Sequence, residues 1–416
     1  MNEQDVKERA VTARKAVAQF RKNGLGKRAI FFNALAERLD LQRQDIKDAN
    51  QLDLQAAREN QLSKAMVDRL NLNDERIDGL ITAVKEIEAF PDPLGVFEGR
   101  KLQDGMTLEK VQVAIGVVGF IYESRPNVTV DAVALCIKSG NAVLLKGGKE
   151  AIHSNMILAA ICRQALLDAK LPDGLVSLLD CSDRKVVDHL CHQAGHVDLI
   201  IPRGGHGLIQ HVSNESLVPV IKHDAGNCHT YVESSADIDK AIAIVVNAKT
   251  QRTGVCNATE SLVVDAPIAP KFLPQLGQAL NKKGVELRSC PEAKKHLPDS
   301  ISASDADWGT EYLDSILSIK VVDDFDEAVE HISRYSSGHT EAIVTKDISK
   351  ARSFEEQIDS SVVMINASTR FSDGGMFGLG AEIGISTDRL HARGPMGAAS
   401  LTTYKYILKG DGQTRN

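Results

Sequence analysis

An α/β protein with parallel sheets, divided into two or three domains, is what the 416-residue sequence predicts. Three observations lead there. The chain exceeds the roughly 250–300 residues at which single cores stop growing. Strand-like and helix-like stretches alternate from about residue 111 to 230, and again after 230, as in sheets with helices on both faces. The composition, 43% hydrophobic and 25% charged, is that of an ordinary globular chain with ample apolar surface to bury.

The elements follow in order. The first ninety residues are helical: Val6, Ala10, Ala13, Val17 and Phe20 fall at helical spacing, as do Leu35, Leu39 and Ile46. Pro91 and Pro93 end this section. VQVAIGVVGFIY (111–122) is glycine-containing and β-rich, either two short strands or one bent strand. Strands are then predicted at 141–145, 175–179, 197–201 and 218–222, with helices at 153–169, 183–194 and 208–212 between them. In the second run, Ile238, Ala241, Ile242, Val245 and Val246 form a helical stripe. Strands follow at 261–264, 317–322, 341–345 and 361–366, and helices near 272–282 and 326–334. TTYKYI (402–407) reads as a terminal strand suited to pairing with a partner.

The net charge is −7 with no block of basic residues, which argues against nucleic acid or a membrane surface as partner. The charged, amphipathic N-terminus has no apolar signal core, and no apolar run is long enough to span a bilayer. Seven irregularly spaced cysteines read as reduced thiols in a cytoplasmic protein.

Among those thiols, Cys136 and Cys162 lie in regular apolar stretches and read as core. Cys290 sits in a polar loop without context. Cys228 and Cys256 are each flanked by glycine and polar residues in turns, where catalytic groups concentrate, and either is a candidate nucleophile. Cys181, His189, Cys191, His192 and His196 crowd together, but Gln193 stands where a zinc-protease helix needs glutamate and no paired C-x-x-C exists. No metal is expected. GLGAEIG (378–384) has the spacing but not the strand–turn–helix setting of a dinucleotide loop. KGGKE (146–150) and RGGHG (203–207) follow strands and open helices, where anions are held. In ESRPNV (123–128), Asn127 follows proline in a rigid turn.

The stretches YESRPNVTVD, LLKGGKEA, LIIPRGG, AGNCHTYV, NAKTQRTGVCNATESLVV, VNASTRFSDGGMFGLGAEIGIST, LHARGPMG and LTTYKY, in this order, resemble the aldehyde dehydrogenase superfamily along nearly the whole chain. The resemblance implies two Rossmann-like α/β domains and a small β oligomerisation element. It makes Cys256 the nucleophile, about thirty residues after the Ala225-Gly226 turn, and Asn127 the amide of the oxyanion hole. It places Lys146 on the adenosine ribose and Glu311 on the nicotinamide ribose, with Gly204 and Gly205 also at the cofactor. Cys228 falls where relatives carry a small residue.

Two departures from the hydrolytic members stand out. His223, with Asp224 beside it, replaces the glutamate that activates water for thioester hydrolysis. Lys149 stands near a glutamate of NAD-preferring relatives, which favours a 2′-phosphate and so NADPH. The resemblance therefore implies NADPH-dependent reduction of an acyl phosphate, L-glutamyl 5-phosphate, to its semialdehyde through a cysteine thioester. That is the second step of proline synthesis, and the product cyclises to pyrroline-5-carboxylate. Arg125, Arg203 and Arg370 are candidates for the substrate's phosphate or carboxylate, against a reading as structural ion pairs. The expected domains are 1–105 with 126–226 for NADPH, 227–390 for catalysis, and 106–125 with 391–416 for oligomerisation. A homo-oligomer and association with glutamate 5-kinase are the implied partners. Three rivals stand beside this reading. One is a hydrolytic dehydrogenase using Asp224. Another is a cysteine hydrolase pairing Cys256 with His223 or His229. The third is a non-enzymatic scaffold.

Overall fold

The computed structural model describes residues 1–102, 105–222, 225–379 and 382–415; His223 and Asp224, read above as the altered base, lie outside the described residues. The N-terminal section is five helices, Glu3–Asn23 to Asp74–Ala89. The predicted stripe of the first is wholly buried, from Val6 to Phe20, and Leu35, Leu39 and Ile46 are buried too.

Four of those helices, with helices Asn127–Lys138 and Ile152–Asp168, share one apolar core with a parallel four-stranded sheet, while helix Lys64–Leu70 packs Leu70 into a separate small cluster with Leu54, Ala57 and Ala151. Its strands run Val176–Leu178, Ala142–Gly147, Val117–Tyr122, Leu199–Arg203 from edge to edge. Strand order reverses between Val117–Tyr122 and Leu199–Arg203, so a crevice opens at their carboxyl ends. The predicted strand at 218–222 is reduced to a single bridge, Ile200 to Val220.

The VQVAIGVVGFIY run is two strands in two different sheets. Thr107–Ala114 pairs antiparallel with both Gly95–Lys101 and Thr402–Lys409, whereas Val117–Tyr122 is central to the four-stranded sheet. The break is Gly116, at φ +142°, where a Cβ would meet Asp198 Oδ2 at 2.0 Å. Only glycine fits there, because Asp198 accepts the Val117 N–H at 2.8 Å and pairs with Arg14. The boundary of 106–125 is thus corrected: its second half belongs with 126–226. TTYKYI likewise pairs first with its own chain, at Thr107–Ala114.

The second α/β section is a parallel seven-stranded sheet in the order Ile301–Ser302, Glu286–Ser289, Ile316–Val322, Thr259–Asp265, Cys228–Val232, Thr340–Val344, Val362–Ile365. Helix Ile238–Thr250 packs Ala241 and Val245 into its core. Sequence reasoning missed Cys228–Val232, a fully buried central strand. Cys290 does lie in a connection, between strand Glu286–Ser289 and helix Pro291–Lys294, but it is buried there and accepts the N–H groups of Ala293 and Val321 at 3.4 and 3.3 Å.

Candidate active site

The two sheets meet at opposite strand ends. The four-stranded sheet contributes the chain leaving Tyr122 and Arg203; the seven-stranded sheet contributes the entry to Cys228–Val232, Thr259–Asp265 and Thr340–Val344. Cys256 lies in the loop between helix Ile238–Thr250 and strand Thr259–Asp265, and is half-buried.

That loop is tightly backed. A Cβ on Gly226 would lie 2.0 Å from the Cys256 carbonyl oxygen. The Cys228 thiol donates to that same oxygen at 3.1 Å and lies 3.5 Å from His339 Nδ1. Cys228 is therefore a fully buried support beneath the loop, and burial pushes its thiol well up. Asn257 donates to the Ser372 carbonyl at 2.8 Å.

The charges around Cys256 gather most of the predicted residues. Burial raises its thiol, Arg203 and Arg125 draw it down, and Glu382 and Glu311 push it up. Arg370, from the turn Thr369–Phe371, also feels the thiol and donates from Nε to Gln251 Oε1 at 2.7 Å. Burial first, and then the neighbouring cations Arg203 and Arg69, lower the Arg125 guanidinium to about 10. Arg203 rests its stem 3.6 Å from where a Cβ on Gly384 would lie. Arg69, Arg252, His339 and Glu382 were missed. Glu382 sits within GLGAEIG, which was weighed only as a nucleotide loop; the helix bearing Arg69 offers no motif.

Asn127 opens helix Asn127–Lys138 after Pro126, and its amide donates to Asp131 at 3.0 Å. Burial raises the Asp131 carboxyl to about 6, while Asn127 and Arg203 act to lower it. The turn before Asn127 is held by Ser124, a left-handed residue at φ +48°. Glu150 fixes it, accepting the Ser124 N–H at 2.5 Å and its hydroxyl at 2.9 Å.

The expected cofactor residues occupy both sides. Glu311 is half-buried and raised by burial, with the Gly226 N–H and the charges of His339 and His206 opposing. Lys146 is buried, donates to the Gly147 carbonyl at 2.8 Å, and is lowered by burial against Cys181, Glu150 and Asp183. Lys149 is exposed, whereas its neighbour Glu150 is committed to Ser124. An open groove of about 880 Å³ along strand Val176–Leu178 reaches Cys181 but is lined by none of these expected cofactor residues. Gly204 and Gly205 carry an anion already: Gly205 N–H donates to Glu123 Oε2 at 3.0 Å, and a Cβ on Gly204 would meet that oxygen at 2.4 Å. Among the described residues no helix is long and apolar enough to cross a membrane, and no three His, Cys, Asp or Glu side chains gather to hold a metal ion. His229, a rival partner for Cys256, is buried and bonded through Nδ1 to Glu341 at 3.1 Å.

The aldehyde dehydrogenase family model matches residues 1–292 and 299–382. The chain belongs to the aldehyde dehydrogenase family and is an oxidoreductase of that family. Its full-length relatives narrow this further. It is 50% identical over 382 residues to a γ-glutamyl phosphate reductase of Carboxydothermus hydrogenoformans, covering 92% of each chain. It is 51% identical over 394 residues to one from Nitratiruptor, covering 94% of this chain and 95% of that one. The crystal structure of γ-glutamyl phosphate reductase from Thermotoga maritima superposes with a TM-score of 0.97 at 45% identity, covering 99% of this chain and all of that one.

Proposed function

We propose that this protein reduces L-glutamyl 5-phosphate to L-glutamate 5-semialdehyde and phosphate with NADPH, through a thioester on Cys256. The observation that carries this reading is the neighbourhood of Cys256: a half-buried thiol that burial raises overall, with Arg203 and Arg125 as the cations opposing that rise. A site rich in guanidinium groups suits a substrate with both a phosphoryl group and a carboxylate.

The thiolate of Cys256 attacks the acyl carbon, the C–O bond to phosphate breaks, and a thioester forms. Phosphate is a good leaving group, so no strong base is needed. The oxyanion is met by the Cys256 N–H and by Asn127, once its amide turns from Asp131. NADPH, when bound, supplies the hydride that reduces the thioester. The C–S bond then breaks, releasing aldehyde and restoring the thiolate. The residues present suit that cofactor: Glu311 offers a carboxylate for ribose hydroxyls, and Lys149 an exposed cation for the 2′-phosphate. Glu150, which would repel that phosphate, is bonded to Ser124. The product amine closes on the aldehyde intramolecularly to pyrroline-5-carboxylate. The reading further includes a cytoplasmic homo-oligomer, joined through the sheet containing Thr402–Lys409, and contact with glutamate 5-kinase.

The test is the reverse reaction: pyrroline-5-carboxylate and NADP⁺, with and without inorganic phosphate, for wild type and Cys256→Ala. NADPH turnover that needs both phosphate and Cys256 supports the proposal. Equal turnover without phosphate would make water the acyl acceptor and the enzyme a hydrolytic dehydrogenase.

A further inference from the structure

The nucleophile loop is gripped from a distant part of the chain. Arg370 holds Gln251, Cys228 holds the Cys256 carbonyl and Asn257 holds Ser372, all within the second α/β section. The fourth contact comes from helix Lys64–Leu70, in the N-terminal section. Arg69 Nη2 donates to the Gly254 carbonyl at 3.3 Å, across 185 positions of sequence. Gly254 is two residues from Cys256.

Arg69 is half-buried, and one such bond uses one of its five N–H donors. Among the described residues, none of Arg69, Arg125, Arg203, Arg252 and Arg370 has a carboxylate within ion-pair distance, unlike Arg76, seven positions on from Arg69, which is paired with Asp68. The mutual repulsion of these cations is already visible at Arg125. A group of guanidinium ions with no direct ion pair beside the Cys256 thiol suits a multiply charged anion, even with Glu382 and Glu311 in the same neighbourhood.

We propose that Arg69 is a specificity-determining residue, whose guanidinium, set on the Gly254 carbonyl, receives the phosphoryl group of the acyl phosphate. This rests on the function proposed above. The choice of phosphoryl over carboxylate follows from the substrate's own length. The phosphoryl group is joined through one oxygen to the carbon that bonds Sγ, whereas three carbons separate that atom from the α-carboxylate. A cation fixed two residues from Cys256 is placed for the nearer anion. In the reverse direction the same contact makes phosphate the acceptor of the acyl group.

The test separates the two half-reactions in Arg69→Ala and Arg69→Lys. Without phosphate, enzyme with NADP⁺ and pyrroline-5-carboxylate gives one burst of NADPH per site as the thioester forms. With phosphate, turnover continues. The KM for phosphate should rise about 10–100-fold in Arg69→Ala and less in Arg69→Lys, which keeps the charge but loses the fork. The burst rate, which reads the loop contact at Gly254, should fall by a smaller factor than the KM for phosphate rises, and the KM for pyrroline-5-carboxylate should stay near wild type. An unchanged KM for phosphate in both variants overturns the proposal. So does a slowed burst with an unchanged KM for phosphate, which would make Arg69 only a prop for the loop. If Arg69→Ala gives no burst because it does not fold, Arg69→Lys decides by the same criteria. Failure of the underlying function looks different: wild-type turnover would then not depend on phosphate.

Discussion

Gly226 and Cys256 are in contact through their backbones: a Cβ added to Gly226 would sit 2.0 Å from the Cys256 carbonyl oxygen and 2.6 Å from its Cα. No side chain moves to relieve this, because the obstacle is main chain. Gly226→Ala should therefore displace Cys256, the proposed nucleophile, and lower kcat by at least about 10²-fold, the cost of misplacing reacting atoms by about 1 Å. If the four-stranded section binds NADPH as proposed, that binding should persist. A variant of near wild-type kcat would show that the loop tolerates displacement.

Asn127 is bonded within its own helix, to Asp131. If the amide turns to the oxyanion during reaction, Asn127→Ala should lower kcat about 10²–10³-fold with little change in the KM for pyrroline-5-carboxylate. A rise in KM alone would assign Asn127 to ground-state binding instead.

The Cys256 thiol is raised by burial, and Arg203 is the first of the charges opposing that rise. Alkylation of Cys256 by iodoacetamide should therefore titrate above an ordinary cysteine. Removing the cation favours the neutral thiol, so Arg203→Gln should move the profile further up and slow alkylation at pH 8. Faster alkylation in that variant would contradict this electrostatic picture.

Asp307 anchors the segment that carries Glu311. Burial acts to raise its carboxyl, but Arg288 at 2.7 Å, the Ser304 N–H and hydroxyl, and Tyr312 hold it well below the usual range. A carboxylate depressed on folding adds stability above its unfolded pKa of about 3.9 and loses it as pH falls toward the folded value. Asp307→Asn should cost about 1.5–3 kcal/mol at pH 7. The gap in Tm from wild type should close as pH drops below about 4. A gap independent of pH would mean that shape, not charge, is what Asp307 supplies.

The sequence disclosed the helices and most strands because their apolar spacing is regular, as in Val6 to Phe20. Cys228–Val232 escaped because its five residues include two polar ones, His229 and Thr230, buried on internal partners. The break at Gly116 could not be read from spacing alone, since its cause is Asp198, eighty-two residues later. At the site, Cys256, Arg125, Arg203, Arg370 and Glu311 were named from motifs, and they share one electrostatic neighbourhood. Arg69 and His339 were not, because their importance lies in what the fold brings beside them. Gly204 and Gly205 looked open to a phosphate, but Glu123 of the neighbouring strand end already accepts from Gly205.

The central claim is that Cys256 carries the acyl group and phosphate takes it back. The direct measurement is intact-protein and peptide mass spectrometry after incubating enzyme, NADP⁺ and pyrroline-5-carboxylate without phosphate. One glutamyl adduct per chain should appear, map to Cys256, and vanish on addition of phosphate. An adduct on Cys228, or NADPH release without phosphate and with Cys256 unmodified throughout, would contradict the assignment.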